Sequence, residues 1–254
     1  LVGNESGQLN ILKGDKITPF ETEVKIPFAR LKHLFTDSKN RIWVSTYGGL
    51  VLLDGKNSRI YNIESGFPDN FIRQVYEDNY GHIWVGTKNA GLIRFKDADS
   101  WETLNIDKNL TSNYIMSIAE NNKNQLIVGT ISGINYIENM NVVKTVTLDD
   151  NLPSNFSFAT LPTDNYLWIA SNDGLTAYSE DTTVVFNTSR GMPSNIIYDL
   201  MLDRNGNLWM PSEKSILMAS LKDLEDCINQ PDKPLKLKQF NKSHGMKNNH
   251  SLGG

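Results

Sequence analysis

Short apolar segments alternate with turn-forming residues throughout the chain, and four equivalent segments each carry a tryptophan. These tryptophans are spaced by 41, 84 and 41 residues, so the middle interval contains two repeats: Trp43, Trp84, Trp168 and Trp209. Ile127 takes the skipped position in QLIVGTISGI, and Leu1-Val2-Gly3 matches the same segment once more. The spacing predicts six copies of a repeat of about 42 residues.

Each copy divides into four apolar segments of strand length. A loop of the form G-x-P-x-N, such as GFPDN at 66–70, leads into a first strand, and a tight turn such as DNYGHIW leads into the tryptophan strand. A second turn, with glycine, leads to a third strand, and an outer strand follows. Four short antiparallel strands at this period are typical of a propeller blade. We therefore predict an all-β fold, a β-propeller of four-stranded antiparallel blades, over residues 1–254.

The turn residues recur for physical reasons. The position three before the tryptophan must tolerate positive φ in a hairpin turn, and it holds Asn40, Gly81, Asn124 and Gly206. The residue that leads this turn can accept hydrogen bonds from the turn's own backbone, and it is Asp37, Asp78, Asn121 or Asp203. We expect the tryptophans to be buried between blades and the recurrent loop asparagines to be caps: Asn70, Asn113, Asn155, Asn195 and Asn249.

Two segments depart from the repeat. The copy with Trp168 has lost one residue in its turn, and Asp164-Asn165 suits a two-residue turn. After Ser220, residues 221–228 have helical spacing of apolar side chains and a capping-box start, which predicts a short inserted helix.

Composition excludes several classes of function. The net charge of -4 and the pI of about 5.6 argue against a nucleic-acid partner, because phosphate binding needs a basic face. Cys227 is the only cysteine, so the chain has neither a disulfide framework nor a cysteine-based zinc site. The four histidines lack metal-ligand spacing, and no phosphate-binding motif occurs. We therefore expect no metal and no cofactor.

The repeats, which read N-x-[VI]-x-x-[IV]-x-[ED]-[DN]-x-x-G-x-[IL]-W-[VI]-G-T-x-x-G-[GL]-L, closely resemble the two-component regulator propeller repeat. That family is found in the extracytoplasmic sensors of bacterial hybrid histidine kinases and of related diguanylate cyclases. The resemblance implies a periplasmic domain, with one further blade, an immunoglobulin-like domain, a membrane helix and the signalling output downstream. It implies six blades of a seven-blade ring, and contact with a membrane only through the downstream segment. The family motif carries over no site residue.

Candidate binding residues lie at positions that differ between the copies, because a residue that recurs in every copy serves the structure of the blade. In a propeller, the loop into the innermost strand and the loop between the second and third strands open on one face. Cations suit carboxylate or sulfate groups there, and aromatic faces suit sugars. The residues predicted to line this channel mouth are Arg30, Lys32, Tyr47, Arg73, Lys88, Tyr114, Tyr198 and Asp199. The competing interpretation is ordinary solvated loops, with the aromatic side chains wedged between blades.

Three classes of function compete. A non-catalytic sensor of a small molecule or oligosaccharide accounts for the repeats, the family likeness and the absence of a catalytic grouping. A propeller enzyme, such as a sialidase-like hydrolase or a lyase, would need a carboxylate pair or a tyrosine–glutamate nucleophile on the channel face. Glu77-Asp78 is such a pair, but its turn position indicates hairpin chemistry instead. A protein-interaction scaffold is the third class, and a homodimer paired through an open edge of the first blade is also considered.

Overall fold

The computed structural model describes residues 1–4, 8–22, 24–27 and 30–246. These residues form six antiparallel sheets, numbered here as blades 1 to 6. Blade 1 has three strands, β1 (Val2–Gly3), β2 (Leu9–Lys13) and β3 (Lys16–Pro19). Blade 2 consists of β4 (Leu31–Thr36), β5 (Ile42–Thr46), β6 (Gly49–Leu53) and β7 (Arg59–Tyr61). Blade 3 consists of β8 (Ile72–Glu77), β9 (Ile83–Thr87), β10 (Leu92–Phe95) and β11 (Trp101–Leu104).

The remaining blades follow the same plan. Blade 4 consists of β12 (Ile115–Glu120), β13 (Leu126–Thr130), β14 (Gly133–Glu138) and β15 (Asn141–Val146). Blade 5 consists of β16 (Ala159–Pro162), β17 (Leu167–Ser171), β18 (Gly174–Tyr178) and β19 (Thr183–Phe186). Blade 6 consists of β20 (Met201–Leu202), β21 (Asn207–Pro211), β22 (Ile216–Ser220) and β23 (Lys238–Phe240). Helix α1 (Leu221–Asn229) lies between β22 and β23, where the sequence predicts it.

Strand order within every blade follows the chain, so each blade is an antiparallel meander. This confirms the all-β propeller fold. The tryptophans lie on second strands in blades 2, 3, 5 and 6, and Ile127 lies on the second strand of blade 4. The three strands of blade 1 agree with a blade that lacks its innermost strand. The seven-blade count and the homodimer stay predictions.

The chain divides into two compact units. The first contains Leu1–Ile118 with Glu138–Val142, and the second contains Ala119–Ile137 with Val143–Gly254. In the first unit, Trp43 of blade 2 packs with Ile83 and Phe95 of blade 3. In the second unit, one core surrounds Trp168 and includes Leu224 and Cys227 of α1, and another surrounds Ile127. The side chain of the second strand therefore fills the space between successive blades.

One carboxylate organises the turn between the first two strands of a blade. Asp78 Oδ1 accepts hydrogen bonds from the backbone N–H groups of Tyr80 and His82, at 3.0 and 2.8 Å. Its Oδ2 accepts from the indole Nε1 of Trp84, at 2.7 Å. Burial acts to raise the pKa of Asp78, but the indole and backbone hydrogen bonds outweigh it and hold the pKa below its ordinary value. The same indole contact joins Asp37 to Trp43 and Asp203 to Trp209, at 2.8 and 2.9 Å.

Trp168 lacks this indole bond, and Trp209 differs from the other tryptophans in its burial. In blade 5 the shortened turn closes by a hydrogen bond from Thr163 N to Tyr166 O at 2.9 Å, which confirms the two-residue turn. It carries no equivalent aspartate, so the buried Nε1 of Trp168 has no partner. Trp209 of blade 6 stacks on Phe240 of its own blade and is only half-buried, so the prediction of burial holds in part for this residue.

The loops between blades are fixed by side chains that recur in the sequence. Asn70 Oδ1 accepts from the backbone N–H of Ile63, at 2.8 Å, at the start of a 3-10 helix seven residues upstream. The same contact recurs at Asn113, Asn155 and Asn195, which confirms the predicted caps. Asn249 lies outside the described residues. The 3-10 helices, which the sequence reasoning missed, are Ile63–Ser65, Ile106–Lys108, Leu148–Asp150, Thr188–Arg190 and Lys242–His244.

A hydroxyl closes the hairpin between the second and third strands. Thr87 Oγ1 donates to Gly91 O at 2.8 Å, and the same contact recurs in blades 2, 4, 5 and 6. The glycine is required where the next strand passes close by. A Cβ at Gly174, with φ of 116°, would lie 2.3 Å from the carbonyl oxygen of Phe186. In blade 6 the hydroxyl of Ser212 donates to Ser215 O in the same way, although serine replaces the glycine there.

Comparison of two tryptophan variants would measure the carboxylate–indole bond. Trp84 and Trp168 are both fully buried, but only Trp84 donates to a carboxylate. We expect Trp84→Phe to lower the free energy of unfolding by about 1–3 kcal/mol more than Trp168→Phe. The substitution removes the indole donor from Asp78 Oδ2 and leaves that oxygen only its contact with His82 Nδ1, at 2.9 Å. Chemical denaturation followed by circular dichroism measures both. Equal losses in the two variants would contradict the importance of this bond.

Two glycine variants would separate backbone strain from steric clash. Gly174 and Gly191 both have positive φ, but a Cβ at Gly191 would meet nothing within 4 Å. We expect Gly191→Ala to cost about 1–2 kcal/mol of unfolding free energy for the left-handed backbone. Gly174→Ala should cost about 1–3 kcal/mol more, because its Cβ meets the Phe186 carbonyl. Denaturant titration is the measurement, and a larger loss in Gly191→Ala would disprove the clash.

Candidate ligand-binding site

Five of the eight predicted mouth residues come together in the first unit. Lys32, Arg73 and Lys88 lie against the rings of Tyr47 and Tyr114, and this group is called the cation cluster. The residues come from equivalent places in neighbouring blades: strands β4 and β8, the loop after β5, the loop after β9 and the loop before β12. Because the repeat brings equivalent positions to the same end of adjacent blades, residues about 41 positions apart in sequence become neighbours.

Arg73 is the centre of the cluster. Its Nη1 donates to the hydroxyl of Tyr47 at 3.2 Å, and its guanidinium carbon lies 5.7 Å from the centroid of the Tyr114 ring. Its Nη2 is 4.0 Å from the sulfur of Met116, a weak acceptor. The Nε of Arg73 is buried and has no hydrogen-bond partner. A buried donor without an acceptor is costly, so this nitrogen is a place where an added acceptor would be favourable.

Two lysines add charge on either side of Arg73. Lys32 Nζ lies 5.5 Å from the centroid of the Tyr47 ring. Lys88 Nζ lies 5.4 Å from the centroid of Phe71 and 5.7 Å from that of Tyr114. Within the described ranges, neither Arg73 nor Lys88 forms an ion pair with a carboxylate. The cluster therefore places positive charge against aromatic rings, and no described carboxylate neutralises the charge of Arg73 or Lys88.

The charges change the acidity of one tyrosine. Burial acts to raise the pKa of Tyr47, but the hydrogen bond and charge of Arg73 and the charge of Lys32 outweigh it and lower the pKa below its ordinary value. Burial is also the main influence on Tyr114, and it raises the pKa of that phenol. An anionic group beside the Tyr47 hydroxyl would meet the same two positive charges, Arg73 and Lys32.

The other three predicted residues do not join this cluster in the described contacts. Arg30 is exposed, and its carbonyl accepts from Tyr47 N at 3.0 Å. Tyr198 and Asp199 belong to the second unit, where Tyr198 packs on Phe158 with ring centroids 6.3 Å apart. Asp199 is exposed as a residue, yet desolvation of its carboxyl by nearby protein atoms raises its pKa. That all eight residues line one mouth stays a prediction.

Two contributors to the cluster were absent from the predicted set. Phe71 packs edge-on against Tyr47, with ring centroids 5.3 Å apart, and lies under Lys88. Met116 meets Arg73. Phe71 stands at the repeat position of Tyr114, and Met116 at that of Arg73. Comparison of the copies could therefore have identified both residues as variable.

The described histidines and the Glu77-Asp78 pair serve the scaffold. His33 accepts from Val75 N at 3.3 Å, His82 contacts Asp78 in its turn, and His244 contacts Asn241. Glu77 accepts from both the backbone N–H and the hydroxyl of Ser38, at 2.6 and 2.7 Å. No group of three or more His, Cys, Asp or Glu residues that could hold a metal ion occurs in the part of the chain that the structure describes.

His33 predicts a pH dependence of stability. Burial lowers its pKa from 6.5 to about 4, because the charged ring would lose its hydration. The unfolded state therefore binds the proton first, and stability is lost as pH falls from 6.5 toward 4. We expect a loss of at most about 3 kcal/mol in unfolding free energy over this window. Denaturation at a series of pH values should show this step in the parent and in His82→Asn, and its absence in His33→Asn. A step that persists in His33→Asn would contradict the assignment.

Two segments of the chain match a known protein family. Residues 66–89 and 191–210 match the family described as "Two component regulator propeller". In these two segments the chain matches the repeat of that family. The first match covers the GFPDN loop with β8 and β9, and the second covers the GMPSN loop with β20 and β21. Comparison of the chain with curated protein sequences finds no match.

Solved structures of several propellers are similar to this one. The extracellular domain of a putative hybrid two-component system from B. thetaiotaomicron has a TM-score of 0.78 and 21% identity, over 99% of this chain and 34% of that one. The extracellular domain of a putative one component system from the same organism has a TM-score of 0.56 and 18% identity, over 89% and 39%. Virginiamycin B lyase from Staphylococcus aureus has a TM-score of 0.68 and 14% identity, over 94% and 82%. At these identities the likeness shows the fold alone.

This chain spans about a third of the length of the first of these structures. None of the helices among its described residues is long and apolar enough to cross a membrane. Chemically, the cation cluster offers charge-assisted donors beside ring faces, which suits a carboxylate or sulfate group on a small molecule.

Proposed function

We propose that this chain is the ligand-sensing domain of a bacterial membrane receptor and that it binds a small anionic molecule at the cation cluster without converting it. The regulator propeller repeats and the likeness to extracellular domains of two-component systems support the sensor class. By the same likeness, the domain lies in the periplasm, and the histidine kinase or diguanylate cyclase output belongs to other parts of the receptor.

The buried, unpartnered Nε of Arg73 is the observation that carries the proposal. A folded domain seldom leaves a charged donor unpaired at a buried position, since the unmade hydrogen bond costs free energy. An organic carboxylate or a sulfate that enters the cluster would accept from Arg73 and lie close to Lys88 and Lys32. Such bonds are charge-assisted and therefore stronger than those between neutral groups. The flanking rings would then contact the uncharged part of the ligand, such as a sugar ring.

Binding without turnover is supported by how the acid–base groups are used. Acid–base catalysis needs a positioned group with a pKa near the working pH. Within the described residues, His33 is buried and engaged with a backbone N–H, and Asp78 is engaged with an indole. The cluster itself offers cations and phenols. These groups can bind and orient an anion, and the lyase among the structural neighbours shares the fold at only 14% identity.

Calorimetry with sulfate, citrate and glucuronate tests the proposal on the chain as it stands. We expect at least one of these anions to bind, and Arg73→Ala to weaken binding by about 1–3 kcal/mol through loss of a charge-assisted contact. Affinity should fall as salt is raised, because the exposed parts of the site are screened. The unfolding midpoint of Arg73→Ala should stay close to that of the parent.

Lys39→Ala is the matched control, since Lys39 is an exposed cation in the β4–β5 turn of the same unit. It should bind the anion as the parent does. If Arg73→Ala and Lys39→Ala bind equally well, the cluster is not the site. If none of the three anions binds, the anion assignment is wrong. Appearance of a product by NMR would replace the sensor function with an enzymatic one.

A further inference from the structure

A cleft with a volume of about 370 Å³ opens in the second unit, between β13–β15 of blade 4 and β16–β18 of blade 5. Three tyrosines line it, so it is called the tyrosine cleft: Tyr136, Tyr166 and Tyr178. Ile127 lies in its wall, at the position where other blades have tryptophan. The volume is within the range of small-molecule sites in proteins.

The cleft follows from substitutions at repeat positions. Between blades 2 and 3, the equivalent space holds Trp43, Phe95 and Trp101, with ring centroids of Trp43 and Phe95 5.6 Å apart and of Phe95 and Trp101 6.0 Å apart. Phe95 pairs with Trp101 across β10 and β11, and at the equivalent place Tyr178 pairs with Thr183. Two indoles are thus replaced by isoleucine and threonine.

Only part of the lost volume is recovered. In blade 2, Trp43 pairs with Leu52, and at the equivalent place in blade 4, Ile127 pairs with Tyr136. The smaller Ile127 is thus partly compensated by a tyrosine, which is larger than the leucine of blade 2. The turn residue that would accept from an indole is also changed, since Asn121 stands where blades 2, 3 and 6 have aspartate. Asn121 instead donates to Gln125 Oε1 at 2.9 Å. The cleft is therefore a coordinated change in one copy of the repeat.

The lining of the cleft matches a neutral polar ligand. Its charged groups balance, with two cations and two carboxylates: Lys123, Lys144, Asp164 and Glu180. Lys144 pairs with Glu180 at 2.7 Å. Among the described residues, the hydroxyls of the three tyrosines have no hydrogen-bond partner. Burial raises the pKa of Tyr136 to about 12, so its hydroxyl stays protonated and able to donate.

We infer that the tyrosine cleft is a second binding site, for a neutral sugar of one or two rings. Tyrosine rings suit the apolar face of a sugar, and the phenol hydroxyls of the cleft suit its hydroxyl groups. The site uses residues of the second unit alone, so it goes beyond the anion site at the cation cluster and does not depend on it.

Saturation-transfer NMR with maltose, cellobiose, xylobiose and mannobiose tests this inference. We expect transfer from the protein to at least one disaccharide. The double variant Asn121→Asp/Ile127→Trp restores the residues of the other blades, so its indole should fill the cleft and abolish transfer, with an unfolding midpoint at or above that of the parent. Tyr136→Phe keeps the ring and removes one hydroxyl, so affinity should fall about fivefold.

Arg73→Ala is the control that separates the two sites, and it should leave transfer to the disaccharide unchanged. The inference is overturned if none of the four disaccharides shows transfer, or if transfer persists in a folded double variant. Unchanged affinity in Tyr136→Phe also overturns it, and this readout does not depend on the folding of the double variant. Loss of transfer in Arg73→Ala would assign the sugar to the cation cluster instead.

Discussion

The hydrogen bond from an indole to a turn carboxylate is the interaction that organises blades 2, 3 and 6. In blades 2, 3 and 6 one aspartate accepts from the backbone of its own turn and from the tryptophan six residues later. The turn is thereby tied to the side chain that fills the space between blades. Where the tryptophan becomes Ile127, the aspartate becomes Asn121, and where the turn is shortened, Trp168 loses its acceptor. In blade 4 the two residues change together, whereas in blade 5 Trp168 keeps its place in the core without the acceptor.

The sequence was sufficient for the fold because its strongest constraints are local and repeated. Asn40, Gly81, Asn124 and Gly206 all have positive φ, as the turn position requires. The loop caps and α1 also follow from spacing along the chain. The carboxylate–indole bond was missed because spacing shows which residues recur, but not which way an indole N–H points. The half-buried state of Trp209 was missed for a similar reason, since burial depends on what covers a side chain in space.

The candidate sites were predictable to different degrees. Lys32, Tyr47, Arg73, Lys88 and Tyr114 were found from the sequence because equivalent positions of adjacent blades become neighbours. Tyr198 and Asp199 fit the same rule, but they lie in the other unit and have contacts of their own. The tyrosine cleft was not found, although Ile127 was recognised as a departure. Thr183 stands at the repeat position of Trp101, and this equivalence appears only once the strand register is known.

The loops that carry the variable residues are held by their neighbours. Asp69 accepts from the backbone N–H of Phe71, and serines at the equivalent place accept from Tyr114, Phe156 and Ile196. With the adjacent asparagine cap, these bonds fix the main chain without using the side chain that follows. The backbone bonds of these loops therefore persist when the side chain that follows changes. After gene duplication, propellers built from this repeat can diverge in what their loops present through single substitutions.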